Sequence, residues 1–461
     1  MSSLSFALEP PTIPASVVQI LARLQEKGKR GWIVGGCVRD LLRGLTPKDW
    51  DIATDARPEE VVRMFPRVIE TGLQHGTVTV LDRGVGYELT TLRGEGAYSD
   101  GRRPDSVAFV RDIVEDLARR DFTFNAIAID PLSKTVIDPF AGQADLVAGV
   151  LRAVGNARER FAEDGLRVLR AARFSATLGV EIHADTEVAM GDPTSLATFR
   201  KVSAERVRDE WQKSMSADKP SRAFEAMART GILEIISPEL CESRGCEQNK
   251  YHAYDVWGHA MACLDAAPRE PTLRLAALLH DIGKPRSRAF STKTNDFTFY
   301  NHEAIGAEIV DPLLLKLKFP NDTRQRIVSL VRHHLICYSS DWSDSAVRRW
   351  LKRVGLDVAP MLYDLGRADA RGKGRECVED LRHIDELEAR AALLLSKGAA
   401  LSTRELAING NDLMKTFGIS PGPMIGSVLG QLLEVVLDAP EKNEREALIG
   451  LARDLIVKPS G

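Results

Sequence analysis

The stretch from Gly31 to Asp55, GWIVGGCVRDLLRGLTPKDWDIATD, narrows the folds open to this chain more than any other. A strand-like run, Trp32, Ile33 and Val34, stops at Gly35-Gly36; a helix-like run then carries Arg39, and a second strand-like run holds Asp49 and Asp51. Side chains on a strand alternate between faces, so the two aspartates fall together while Trp50 and Ile52 turn toward a core. Strand, glycine turn, helix and strand in this order open a layered α/β unit. Its chemistry is a carboxylate pair fit for a metal ion beside a glycine turn fit for phosphate.

The texture changes further along. An amphipathic helix from Ala15 to Lys27 follows a proline-punctuated arm. β-rich runs at Thr77 to Leu81 and Tyr87 to Leu92 flank Asp82-Arg83-Gly84-Val85-Gly86, which reads as a hairpin turn. A polar loop, Arg93 to Asp105, comes next, and after Pro139 the pattern is helical nearly to the end. The expected class is therefore α+β: an α/β head over residues 1–145, then an all-helical neck (146–235), body (236–385) and tail (386–461). A chain of 461 residues is too long for one core, and about two to four domains suit it.

Composition matters in three places. A net charge of -3 means that a polyanionic partner must be met by a local basic patch, and the neck is rich in arginine. The cysteines are scattered, with no second pair at zinc-ligand spacing and no signal-like start, so reduced thiols and a cytoplasmic location are expected. No apolar run is long enough to span a bilayer, and no membrane partner is expected.

Carboxylates at i and i+2 on a strand can hold two divalent ions, one activating a hydroxyl and one bound to a triphosphate. Mg²⁺ suits them, because it takes few carboxylates and completes its shell with phosphate oxygens and water. Glu88, alternating with apolar neighbours on a later strand, is the expected third acid. Gly35 and Gly36 offer backbone N–H groups to phosphate at a helix start, and Arg39 can follow the same anion.

Together, GGxVRDxL and KDxDIAT resemble the head of the class II tRNA nucleotidyltransferases and bacterial poly(A) polymerases, within the DNA polymerase β superfamily. The resemblance runs on in order through most of the chain. Arg119 to Ala126 (RRDFTFNA) is similar to a family motif implying that Arg120 holds the triphosphate and that Asp121 and Asn125 position the ribose. Glu163 to Phe174 (EDGLRVLRAARF) resembles the surface that reads the incoming base.

That last role can be argued chemically. Asp164 and Arg167, at i and i+3, are expected on one helical face. An aspartate accepts from the exocyclic amino group of cytosine or adenine, and an arginine donates to the neighbouring ring nitrogen. Uracil and guanine offer the opposite pattern. Arg170 and Arg173 continue the face and can reach phosphates. The loop from Arg93 to Asp105 resembles a segment present in members that add A or the full CCA.

Six of the nine histidines fall between about 250 and 375. His259, the doublet His280-Asp281 and Asp369 resemble the signature of HD-domain phosphohydrolases, with His302 and His333 matching the further histidines of larger sites. The resemblance implies a second divalent metal, with Mn, Ni, Co, Fe, Zn and Mg all suited to such ligands. His252, His334 and His383 read as structural. Residues Leu406 to Pro440 resemble tRNA-binding C-terminal helices. The function implied is template-independent addition of CCA to tRNA from CTP and ATP. An A-adding enzyme or poly(A) polymerase shares the head motifs, and a phosphohydrolase with an inactive, RNA-binding head is the reading from another class.

Overall fold

The computed structural model describes residues 13–72, 76–94 and 109–457. Most of the loop from Arg93 to Asp105 lies outside these residues, as does the N-terminal arm. Contacts divide the chain into two units, Met1–Pro238 and Glu239–Gly461.

The first unit is built on a seven-stranded sheet in the order β3-β4-β5-β2-β1-β6-β7, formed by β1 (Gly31–Val34), β2 (Asp51–Thr54), β3 (Val68–Gly72), β4 (Thr77–Asp82), β5 (Val85–Thr91), β6 (Ala128–Asp130) and β7 (Thr135–Ile137). Among the described residues of this sheet only β2 and β5 pair in parallel, and their register sets Asp51 opposite Glu88. The hairpin between β4 and β5 turns on Arg83 and Gly84, both at positive φ, a tighter turn than the sequence implied.

Alternation builds a core on each face of the sheet. Ile33, Trp50, Ile52, Tyr87 and Leu89 pack with Val17, Leu21 and Leu24 of the helix Ala15–Glu26. Trp32, Val34 and Ala53 pack on the other side with Ile113, Leu117 and Val154. Asp51 shares the second face with Ala53, two residues on. Trp50 and Ile52 are buried as expected, but the strand begins at Asp51, which leaves Asp49 exposed just ahead of it.

Beyond the sheet the unit is mainly helical. The helix Leu166–Leu178 is buried along much of its length, and Ala204–Ser214 and Ser221–Arg229 pack against it. The helical reading needs correction in two places, where short strands pair: Val150–Leu151 with Glu181–Ile182, and Ala289–Ser291 with Asp296–Thr298.

The second unit is a stack of helices in which Val256–Ala266, Pro271–Leu279, Asn321–His333 and Ala359–Gly372 surround a histidine-rich centre. The turn after Pro271–Leu279 lies so close to the helix His302–Lys316 that a Cβ on Gly283 would stand 2.2 Å from the His302 carbonyl oxygen. No helix among the described residues is long and apolar enough to cross a membrane.

Candidate active site and a second histidine cluster

In the first unit a cleft of about 530 Å³ gathers most of the residues singled out above. Gly35, Gly36, Arg39, Asp51, Glu88, Arg120, Asp121, Asn125, Asp164, Arg167 and Arg170 all line it. Seven arginines face four acidic residues across this lining, which supplies the local basic patch that a nearly neutral chain needs for a polyanion.

The glycine turn is forced. Gly35 has φ 78°, and a Cβ there would come within 3.0 Å of Arg120 Nη1 and 3.5 Å of Asp51 Oδ2. Burial, then the negative charge of Glu88, push the Asp51 carboxyl above its usual range; Arg120 opposes this and Asp49 adds to it. A divalent cation relieves such crowding, so these acids fit the metal their chemistry implies. Asp49 does not itself line the cleft but lies near enough for its charge to act on Asp51.

A hydrogen-bonded line crosses the floor. Arg39 Nη1 donates to Asn125 Oδ1 at 3.1 Å, and Asn125 Nδ2 donates to Asp121 Oδ1 at 3.0 Å. Arg170 then forks onto Asp121 Oδ2 at 2.9 and 2.6 Å. Burial alone would raise the Asp121 carboxyl, but Arg170 and Asn125 hold it down to about 2.

Asp164 and Arg167 meet the cleft differently from the helical-face expectation. Asp164 stands in the break between the helices Ala157–Glu163 and Leu166–Leu178, with φ -135° and ψ 105°. Its Oδ1 accepts from the Leu166 N–H at 2.9 Å and its Oδ2 from Arg206 Nη2 at 2.9 Å. Arg167 is nearly buried and donates to Glu163 and to the carbonyls of Arg160 and Arg119. Arg173 does not line the cleft: it pairs with buried Glu210 and lies 3.8 Å over the Phe174 ring. Its position every third residue put it on the basic stripe, but the helix turns it to the packed side. Phe174, the last residue of the EDGLRVLRAARF stretch, lines the cleft, and so does Arg206, which no motif pointed to.

The second unit holds a buried cluster. Nδ1–H groups of His280, His302 and His334 donate to the carbonyls of Ala277, Phe299 and Val331 at 2.8, 2.6 and 2.7 Å. Each ring therefore aims an Nε2 lone pair inward. His259 and His280 Nε2 lie 3.2 Å apart, as do those of His302 and His334. Asp281 stands between the pairs, its Oδ2 3.4 and 3.2 Å from the first and its Oδ1 3.4 and 3.6 Å from the second.

Asp369 Oδ1 is 3.0 Å from His259 Nε2, and Lys284 Nζ is 2.6 Å from Asp281 Oδ2. Both Asp281 oxygens are buried, yet neither has a well-directed hydrogen bond. Buried acceptors of this kind facing unprotonated ring nitrogens fit metal ions.

His334, not His333, completes the cluster, and Cys263 borders it with its Sγ 3.5 Å from His259 Nε2. His333 is only partly buried, and burial followed by Arg353 and Arg332 lowers its pKa. His252, expected to be structural, packs edge-on against His259 with ring centroids 4.9 Å apart.

Known proteins resemble this chain over nearly all of its length. Residues 31–152 match the poly(A) polymerase head domain, 179–243 the "Probable RNA and SrmB-binding site of polymerase A", and 298–452 the tRNA nucleotidyltransferase domain 2. The CCA-adding enzyme of Lactiplantibacillus plantarum is 34% identical over 94% of both chains. That of Streptococcus mutans is 33% identical over 94% of this chain and 95% of its own. The crystal structure of the Bacillus stearothermophilus CCA-adding enzyme in complex with CTP, 28% identical, superposes with a TM-score of 0.73 over 98% of this chain and 99% of that one.

Proposed function

The chain belongs to the family of CCA-adding enzymes and is a tRNA nucleotidyltransferase, and we propose that the cleft around Asp51 carries the addition with the residues named here. It completes the 3′ end of tRNA with CCA from CTP and ATP, and the reaction depends on a divalent metal. The observation that carries the assignment of residues is the meeting in one cleft of the Asp51 and Glu88 carboxylates, the Gly35-Gly36 turn and the pair Asp164 and Arg167.

In this reading the tRNA 3′-hydroxyl oxygen bonds to the α-phosphorus of the nucleotide. The bond from that phosphorus to the bridging oxygen breaks, and pyrophosphate leaves. Mg²⁺ on Asp49 and Asp51, supported by Glu88, would supply activation of the hydroxyl and charge neutralisation. Gly36, Arg39 and Arg120 hold the triphosphate, and Asp121 and Asn125 orient the ribose. Arg170 acts through Asp121 rather than on phosphate, because its fork is already engaged there. Asp164 and Arg167 select cytosine and adenine by their amino groups and ring nitrogens. The arginine-rich neck and the C-terminal helices bind the tRNA, largely by shape and backbone, in the cytoplasm.

The test offers tRNA lacking CCA, CA or A, each with labelled CTP or ATP, and sequences the products. Ordered C, C and A addition is expected. Failure to incorporate CTP would leave an A-adding enzyme or poly(A) polymerase.

The histidine cluster supports a second activity in the same chain. His259, His280, Asp281 and Asp369 would hold one divalent ion, and Asp281, His302 and His334 a second, supplying hydrolysis of phosphomonoester or 2′,3′-cyclic phosphate ends. The buried Asp281 carboxylate, set between the inward Nε2 atoms of four histidines, favours this reading over an inherited fold without metal.

A further inference from the structure

We propose that Arg206 is a specificity-determining positioning residue, which fixes the direction in which Asp164 presents its carboxylate to the incoming base. The inference rests on the reading of Asp164 as a base-selecting acceptor. Asp164 lies in a break between helices, so no helical geometry fixes its side chain. Its direction is set instead by two donors, the Leu166 N–H on Oδ1 and Arg206 Nη2 on Oδ2. A carboxylate has about four acceptor positions, so lone pairs remain for a base amino group after both donors are satisfied.

Arg206 is well placed to hold that direction. It stands on the helix Ala204–Ser214, which is anchored by fully buried Trp211 and by the pairing of Glu210 with Arg173. Its guanidinium reaches the cleft, and the ion pair with Asp164 is mostly shielded from water, with side-chain exposures of 23% and 19%. Nη1 of the same guanidinium is buried without a hydrogen bond. An unsatisfied donor is costly, so the fold keeps this arginine at a penalty that a shorter neutral side chain would avoid. Neutralising Asp164 also removes repulsion between that acid and the triphosphate sharing the cleft.

The discrimination follows from rigidity. A wrong base is rejected because its carbonyl is forced against a carboxylate that cannot turn away. Once Arg206 is gone, Asp164 can rotate, and rejection of uracil weakens before chemistry does.

The experiment measures kcat and KM for each of the four nucleoside triphosphates with the full-length chain and tRNA lacking CCA. The variants are Arg206→Ala, Arg206→Lys, Arg206→Gln, Asp164→Ala and the double alanine variant. Arg206→Ala is expected to lower the CTP-to-UTP ratio of kcat/KM about tenfold, the scale of one charge-assisted hydrogen bond, chiefly by raising kcat/KM for UTP. Arg206→Lys should recover part of the ratio, and Arg206→Ala should change nothing further when Asp164 is already alanine. A wild-type ratio in Arg206→Ala, or full additivity in the double variant, overturns the proposal. Should the alanine variant not fold, wild-type discrimination in Arg206→Gln overturns it in the same way. An unchanged ratio in Asp164→Ala overturns instead the base-reading role itself.

Discussion

His334 shows how one residue step changes a site. In the helix Asn321–His333, Ile327, Leu330 and Val331 are buried, and position 334 continues that face at the next turn. The VRHH doublet hides this when read as a motif, because either histidine satisfies the pattern; apolar periodicity separates them. The same consideration explains Arg173, whose three-residue spacing from Arg170 looked like a basic stripe although the helix turns it onto Phe174. Gly35, Asp51 and Glu88 were legible because strand alternation and a glycine turn leave them few other places. His334→Ala is therefore expected to weaken retention of Mn²⁺ or Ni²⁺ at least about 100-fold, in the range of lost support at a metal site. His333→Ala should keep near wild-type metal content after dialysis. Equal losses in both variants would contradict the assignment.

At the level of elements, the informative join is that between the short turn Thr123–Asn125 and the helix Leu166–Leu178. Arg170 crosses it to Asp121, and Phe174 packs against Phe122 and Phe124 with ring centroids 5.8 and 5.7 Å away. The sequence reveals both elements, since each carries a dense motif, but not that Arg170 binds Asp121. That contact is non-local and has no periodic signature. Likewise, the break before Leu166 removes Asp164 from the helix, and the arginine that holds it comes from a third element.

Because Asp121 is held at about 2, below the ordinary 3.8, its ionised form stabilises the fold. The contribution is complete above 3.8, the unfolded-state value, and is lost as pH falls toward about 2. Asp121→Asn should cost about 2–3 kcal/mol at pH 7, the lower side of the cost of breaking a buried pair because Arg170 is partly exposed. The difference from wild type should hold down to about pH 4 and shrink below it. Denaturant titrations of both proteins across this range measure it, and a difference independent of pH down to pH 2 would exclude the ion pair as its source.

Over the whole molecule, the cleft and the histidine cluster rest on separate foundations. The cleft draws its lining from residues 34–206, within the first unit, and the histidine cluster lies in the second. The order of motifs made this division legible, whereas the pairing of short strands within the helical region was not, since two- and three-residue strands leave too little alternation to detect. Each centre has its own acids and its own packing, so disabling one should spare the other. Replacing Asp49 and Asp51 with alanine removes the carboxylates that would hold Mg²⁺, a loss of several kcal/mol of transition-state stabilisation. Nucleotide addition should fall by about 10³-fold or more. Hydrolysis of a 2′,3′-cyclic phosphate should remain within about twofold of wild type, because the histidine cluster takes its ligands from the second unit alone. His280→Ala with Asp281→Ala should do the converse if the second unit keeps its fold, which circular dichroism can verify. Should the first variant lose both reactions while folded, a single centre would be serving both, and the histidine cluster would lose its role in hydrolysis.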